Sequence, residues 1–153
     1  MSDDKLRLNQ QLCFPLYAAS NMLTRLYRPL LAELGLTYPQ YLVMLCLWET
    51  APQTVGELGR NLHLDAGTLT PLLKRLEAAG LVVRRRSDRD ERVVEVDLSE
   101  RGRALRERAR GIPDAMLCRV PLPAEQLRQL RQNLQALLRA LADVDPRGAG
   151  RSD

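Results

Sequence analysis

The stretch Asp65-Ala66-Gly67-Thr68-Leu69-Thr70-Pro71-Leu72-Leu73-Lys74-Arg75-Leu76-Glu77-Ala78-Ala79-Gly80-Leu81-Val82-Val83 decides the fold, because a helical period gives way to a strand within it. Leu69, Leu72, Leu73 and Leu76 recur every three or four positions, the buried stripe of an amphipathic helix. Asp65 is a capping residue at its start, and Gly80 marks its stop. Upstream, Thr54-Val55-Gly56-Glu57 is a capping box that opens a short helix through Leu58 and Leu62. Only His63-Leu64 separates the two helices, which is the helix-turn-helix arrangement. Downstream, Leu81-Val82-Val83 and Val93-Val94-Glu95-Val96-Asp97-Leu98 are β-branched and partly alternating, so they read as two strands. The charged run Arg84 to Arg92 between them reads as a hairpin tip. A helix-turn-helix followed at once by a hairpin is a winged helix. The expected fold is mainly α with a small β-hairpin.

Further out, apolar residues at Leu16, Ala19, Leu23, Leu26, Leu30 and Leu34 predict a helix over 12–34, with Pro15 in its first turn. Cys13 then stands at the helix's N-terminal lip, and Gly35 ends it. Thr37-Tyr38-Pro39-Gln40 is a second capping box, opening an apolar helix from Tyr41 to Trp48. Ser99 caps a helix over 100–110. Gly111 and Pro113 interrupt it, which leaves Cys118 in an irregular stretch, and Pro123 starts a last helix through Leu127, Leu130, Leu134, Leu137, Leu138 and Leu141. The outer helices are too apolar to satisfy themselves within one chain, so an intertwined homodimer through the N- and C-terminal helices is expected. With 153 residues the chain fits one domain. Residues 36–98 form its winged helix-turn-helix part, 6–35 and 99–143 its dimerisation helices, and 144–153 an expected disordered tail.

Composition supports the helical reading: 31 residues are Leu and only 4% are aromatic. Of 23 basic residues 21 are Arg, whose planar fork suits phosphate; a genome rich in Arg codons explains the same bias. No run reaches the roughly 18 apolar residues of a membrane span, and the polar, acidic start is unlike a secretory leader. No membrane association and a cytoplasmic address are therefore expected. Cys13, Cys46 and Cys118 lie far apart and His63 is the only histidine, so no metal site and no cofactor are expected. One histidine also leaves little room for hydrolytic triads.

A recognition helix reads base edges from its N-terminal half. Thr68 and Thr70 supply short hydrogen-bonding groups there, Ala66 and Gly67 permit close approach, and Lys74 and Arg75 can reach phosphates. The hairpin tip carries five arginines against three acids, and Arg89 or Arg92 suits a narrow minor groove. The DNA-facing set is thus Asp65, Ala66, Thr68, Thr70, Lys74, Arg75, Arg86, Arg89 and Arg92; the competing reading is a solvated charged hairpin. Cys13 has two readings as well. The positive end of a helix dipole favours a reactive thiolate, whereas most free cysteines are small buried hydrophobes. Cys46 reads as core. Tyr17, Tyr27, Tyr38 and Tyr41 offer phenols to a thiolate, or simply fill the core.

Four stretches carry a resemblance: Asn9-Gln10-Gln11-Leu12-Cys13-Phe14, Leu36-Thr37-Tyr38-Pro39-Gln40-Tyr41, Leu64-Asp65-Ala66-Gly67-Thr68-Leu69-Thr70-Pro71-Leu72-Leu73-Lys74-Arg75 and Asp90-Glu91-Arg92. Over residues 6–142 the chain resembles the organic hydroperoxide resistance regulators, peroxide-sensing members of the MarR family of winged-helix repressors. The resemblance implies that Cys13 is the peroxidatic cysteine and that Tyr27 and Tyr38 hydrogen-bond its thiolate from the partner subunit. It implies that Cys118 is a resolving cysteine, as in the two-cysteine members, bridging to Cys13 of the other subunit. Arg92 matches the wing arginine that enters the minor groove, and Cys46 has no counterpart. The implied partners are double-stranded operator DNA, a second copy of the chain, organic hydroperoxides as signal, and thiol reductants that reverse it. Oxidation would release the operator of a peroxide-resistance gene. Two other readings stand beside this one: a MarR-type repressor released by a small phenolic ligand, and a thiol peroxidase, for which an Arg-rich wing has no use.

Overall fold

The computed structural model describes residues 3–145. Two 3-10 turns, Asp3–Leu6 and Leu8–Gln10, precede α1 (Cys13–Ala32) and α2 (Tyr38–Glu49). Then come β1 (Gln53–Thr54), α3 (Val55–Leu62), α4 (Ala66–Ala78), β2 (Val82–Arg86), β3 (Val94–Leu98), α5 (Glu100–Ala109), α6 (Ile112–Leu117) and α7 (Ala124–Ala142). The expected tail at 144–153 lies outside the described residues from 146 on. Val144 and Asp145 are described, and their N–H groups donate to the carbonyl of Leu141.

Local signals placed the helix starts. Both capping boxes form: the Thr37 hydroxyl accepts from Gln40 N while Gln40 reaches back to Thr37 N, and Thr54 and Glu57 do the same at α3. Asp65 Oδ1 accepts from Thr68 N at 2.8 Å, and Ser99 Oγ from Gly102 N at 3.0 Å. After α4 the chain must reverse into β2, and Gly80 does so at φ +72°, a region costly for side chains with a Cβ. The turn between α3 and α4 is tight. His63 is left-handed at φ 54°, and a Cβ on Gly59 would stand 2.8 Å from Leu64 O, so only glycine fits there.

The core lies between α2, α3, α4 and the sheet, with the end of α1 and parts of α5 and α6 packed onto it. Leu31, Val43, Met44, Leu58, Leu69, Leu73, Leu76 and Val96 are all essentially inaccessible. Burial of such side chains contributes on the order of 2 kcal/mol each. The α4 stripe of Leu69, Leu72, Leu73 and Leu76 is buried as its spacing predicts.

Three features correct the sequence reading. The hairpin belongs to a three-stranded antiparallel sheet of order β1-β3-β2, in which Gln53 pairs Val96 and Thr54 pairs Glu95. Arg84, Arg85 and Arg86 lie on β2, opposite Val96, Glu95 and Val94, so the tip is shorter than the run 84–92. The stretch around Cys118 is not irregular, because α6 fills 112–117 and Cys118 is its C-terminal cap. Pro113 starts this helix rather than preventing it, since an N–H in the first turn has no helical partner to lose.

Candidate DNA interface and thiol site

The first turn of α4 is open to solvent. Ala66, Gly67 and Thr68 are exposed, as are Lys74 and Arg75 further along the helix. Thr70 is only half-exposed, turned partly toward the core side. Asp65 is committed to capping through Oδ1.

The wing is braced at its root and at its tip. Arg84 donates from its backbone N to Glu77 Oε2 at 3.0 Å, and from Nη2 and Nε to Glu77 Oε1 at 2.9 and 3.3 Å. These bonds hold the Glu77 carboxyl below its usual range, the side-chain bonds first. Asp97 of β3 pairs with Arg103 of α5 at 3.0 Å and Arg85 at 3.6 Å. At the tip, Asp90 Oδ1 accepts from Arg92 N at 3.0 Å and Nε at 3.2 Å, which lowers the Asp90 pKa. Arg86 Nη1 donates to Glu91 O across the hairpin. Three of the five hairpin arginines, Arg84, Arg85 and Arg92, are thus paired with carboxylates, although the Arg92 side chain is still 90% exposed. Arg89 makes no ion pair among the described residues. The Glu77–Arg84 contact escaped the sequence reading because it spans the Gly80 reversal.

Cys13 occupies the first position of α1 and is exposed; Cys118 is exposed too. Tyr27 and Tyr38 stack with ring centroids 4.7 Å apart, and Tyr41 joins them at 5.9 and 6.5 Å. Tyr41, one of the four candidate phenols but outside the pair that the resemblance implies, follows Tyr38 at helical i, i+3 spacing. Burial first, then the neighbouring phenols, push Tyr27 up to about 12, and burial raises Tyr38 and Tyr41 as well. All three remain protonated at neutral pH and can act as O–H donors. Cys46 is half-buried against the core, its thiol raised by burial and then by Glu49, which fits its core reading.

Tyr27 lies on the same continuous helix as Cys13, fourteen residues on, or roughly 21 Å along the axis. Arg108 Nη2 donates to Glu33 O at 2.6 Å and Arg119 Nη1 to Leu26 O at 3.1 Å. Residues 108–119 therefore run antiparallel along the C-terminal part of α1, and the end of α6 sits near the turn holding Leu26 and Tyr27. Within one chain, Cys13 stands at the opposite end of α1 from Tyr27 and from the Leu26 carbonyl that Arg119, next to Cys118, reaches. A disulfide needs Cα atoms roughly 4.4–6.8 Å apart.

Helix-turn-helix, sheet and exposed recognition helix together define a winged-helix transcriptional regulator. The family model for the transcriptional regulators SarA/Rot matches residues 25–108. The organic hydroperoxide resistance transcriptional regulator of Bacillus subtilis (strain 168) is 49% identical over 90% of this chain and 94% of its own length. Reduced AbfR bound to DNA, the Staphylococcus epidermidis protein, matches with a TM-score of 0.73 at 38% identity, over 92% of this chain and 99% of that one. Disulfide-formed AbfR matches with a TM-score of 0.61 at 38% identity, over 88% and 95%. The chain belongs to the MarR family of transcriptional regulators, in the group of the organic hydroperoxide resistance regulators.

Proposed function

We propose that this chain is a homodimeric, cytoplasmic repressor that senses organic hydroperoxides through Cys13 and Cys118 and releases operator DNA when they are joined. The observation that carries it is the separation within one chain. Both thiols are exposed, yet Cys13 lies about 20 Å along α1 from Tyr27 and from Leu26, whose carbonyl is held by Arg119 next to Cys118. A second copy supplies what one chain keeps apart: its Tyr27 and Tyr38 donate hydrogen bonds to the Cys13 thiolate, and its Cys118 resolves it.

Dimerisation is supported by α7, in which no residue is buried. Its leucines at 130, 134, 138 and 141 are 36–52% exposed, as are Leu16, Leu23 and Leu26 of α1 at 37–39%. Leaving such half-covered leucines in water forfeits on the order of 1 kcal/mol each. Intertwining α1 and α7 with those of a second copy recovers it.

The reduced dimer sets Thr68, Thr70, Lys74 and Arg75 of each α4 in a major groove, after the Asp65 cap and Ala66, with Arg86, Arg89 and Arg92 at the flanking minor groove. In the presence of hydroperoxide, the Cys13 thiolate attacks the terminal peroxide oxygen. The O–O bond breaks, the alkoxide leaves and takes a proton from water to become an alcohol, and Cys13 becomes a sulfenic acid. The partner's thiol then displaces water, forming the Cys13–Cys118 bridge. Closing it shifts one winged domain against the other, and the two recognition helices lose their spacing. Thiol reductants restore both thiols.

Fluorescence anisotropy on a duplex selected by the protein from a randomised pool tests this. Cumene hydroperoxide is expected to weaken binding on the order of 100-fold, through loss of two or three base contacts, and dithiothreitol to restore it. Affinity unchanged by peroxide but lowered by a phenolic carboxylate would instead support a ligand-released repressor.

A further inference from the structure

The brace between α4 and β2 lies outside the proposed thiol site. β2 is an edge strand, with β3 as its one neighbour in the sheet among the described residues. The Arg84 N–H points off that edge, and the Glu77 carboxylate satisfies it together with the Arg84 guanidinium. Glu77 lies in the last turn of α4, and Arg84 is the third residue of β2. The carboxylate thus holds the root of the wing to the end of the recognition helix, while Asp97 holds the other side of the hairpin to α5 through Arg103.

The lever beyond the brace is long. From Arg84 to the tip is about five residues at roughly 3.3 Å each, or about 17 Å. A rotation of about 10° at Arg84 therefore displaces the tip by roughly 3 Å, a full hydrogen-bond length. The groove spacing of the duplex is set by DNA, so a wing at the wrong angle loses its groove while α4 keeps its own.

We propose that Glu77, acting through Arg84, is a positioning residue for operator recognition: it sets the wing's angle so that α4 and Arg92 engage the same half-site together. The proposal rests on the winged-helix DNA-binding reading above.

The sign of the effect separates this role from simple electrostatics. Glu77→Gln removes a negative charge near the phosphates, which by charge alone tightens binding to any DNA. A positioning role demands the opposite on the selected duplex. We expect Glu77→Gln to weaken operator binding about tenfold, the scale of one lost specific contact, with binding to unrelated duplex unchanged or tighter. Arg92→Ala is expected to weaken the parent about tenfold and the Glu77→Gln protein by less than about twofold, because its wing is already displaced. Hydroxyl-radical footprinting is expected to lose the minor-groove protection and keep that around α4. Arg84→Lys, which retains charge but not the fork, serves as the second variant and is expected to behave alike. Thermal midpoints of each variant identify any that fail to fold. Operator affinity equal to or tighter than the parent's in folded Glu77→Gln, with an undiminished Arg92→Ala effect, overturns the positioning role alone. A parent protein that selects no duplex overturns the DNA-binding reading beneath it.

Discussion

Replacing Cys13 by serine is expected to leave operator affinity of the reduced protein within about twofold of the parent and to abolish release by organic hydroperoxide. Cys13 is an exposed residue at the first position of α1, so trading sulfur for oxygen removes no core contact. A hydroxyl there does not reduce a peroxide. The parent, by contrast, is expected to lose affinity on the order of 100-fold. Anisotropy titration before and after cumene hydroperoxide measures both numbers. Peroxide-driven release that survives the substitution contradicts the assignment of Cys13 and turns attention to Cys118 or Cys46.

The largest expected effect on stability lies far from the thiols, at Gly102. In α5 this residue packs on the chain just after α4: a Cβ built on it would stand 2.0 Å from Leu81 O, 3.1 Å from Leu81 C and 3.3 Å from Leu98 Cδ2. The obstacle is backbone, and that backbone is held, because Leu81 O accepts from Ser99 N and Gly80 O from Ser99 Oγ. The Gly102 carbonyl is also held, accepting from Trp48 Nε1 at 2.8 Å. Alanine improves helix propensity by about 1 kcal/mol, but the overlap outweighs it. Gly102→Ala is expected to destabilise by about 3 kcal/mol or more. That corresponds to a fall in thermal midpoint of roughly 10 °C for a chain of this size. Circular dichroism melts at one fixed protein concentration check it, since a dimer's midpoint depends on concentration. A midpoint lowered by less than about 2 °C contradicts so close a packing of α5 on Leu81.

What the sequence disclosed follows the range of each interaction. The capping pairs at Thr37 and Thr54, the Asp65 cap and the Gly80 stop act within four residues, so spacing alone reveals them. The buried stripe of α4 was equally legible. β1 was not, because two residues have no period and Gln53 and Thr54 become a strand only by pairing with Val96 and Glu95. The short helix α6 was hidden by Gly111 and Pro113, which read as breakers until their positions relative to its start are known. The brace from Glu77 to Arg84 and the grip of Arg119 on Leu26 O are tertiary contacts with no local signature. Recognition of the thiol site drew on motifs around Cys13 and Tyr38. The geometric support for it, a Cys13 held apart from the tyrosines of its own chain, follows only once α1 is seen to be continuous.

The Cys13–Cys118 bridge between subunits is tested by a non-reducing gel of the purified protein, before and after stoichiometric cumene hydroperoxide, with Cys13→Ser and Cys118→Ser run beside the parent. A dimer-sized band that requires both cysteines and vanishes with dithiothreitol is expected. A monomer-sized band throughout, or a crosslinked dimer that persists in the Cys118→Ser protein, contradicts it.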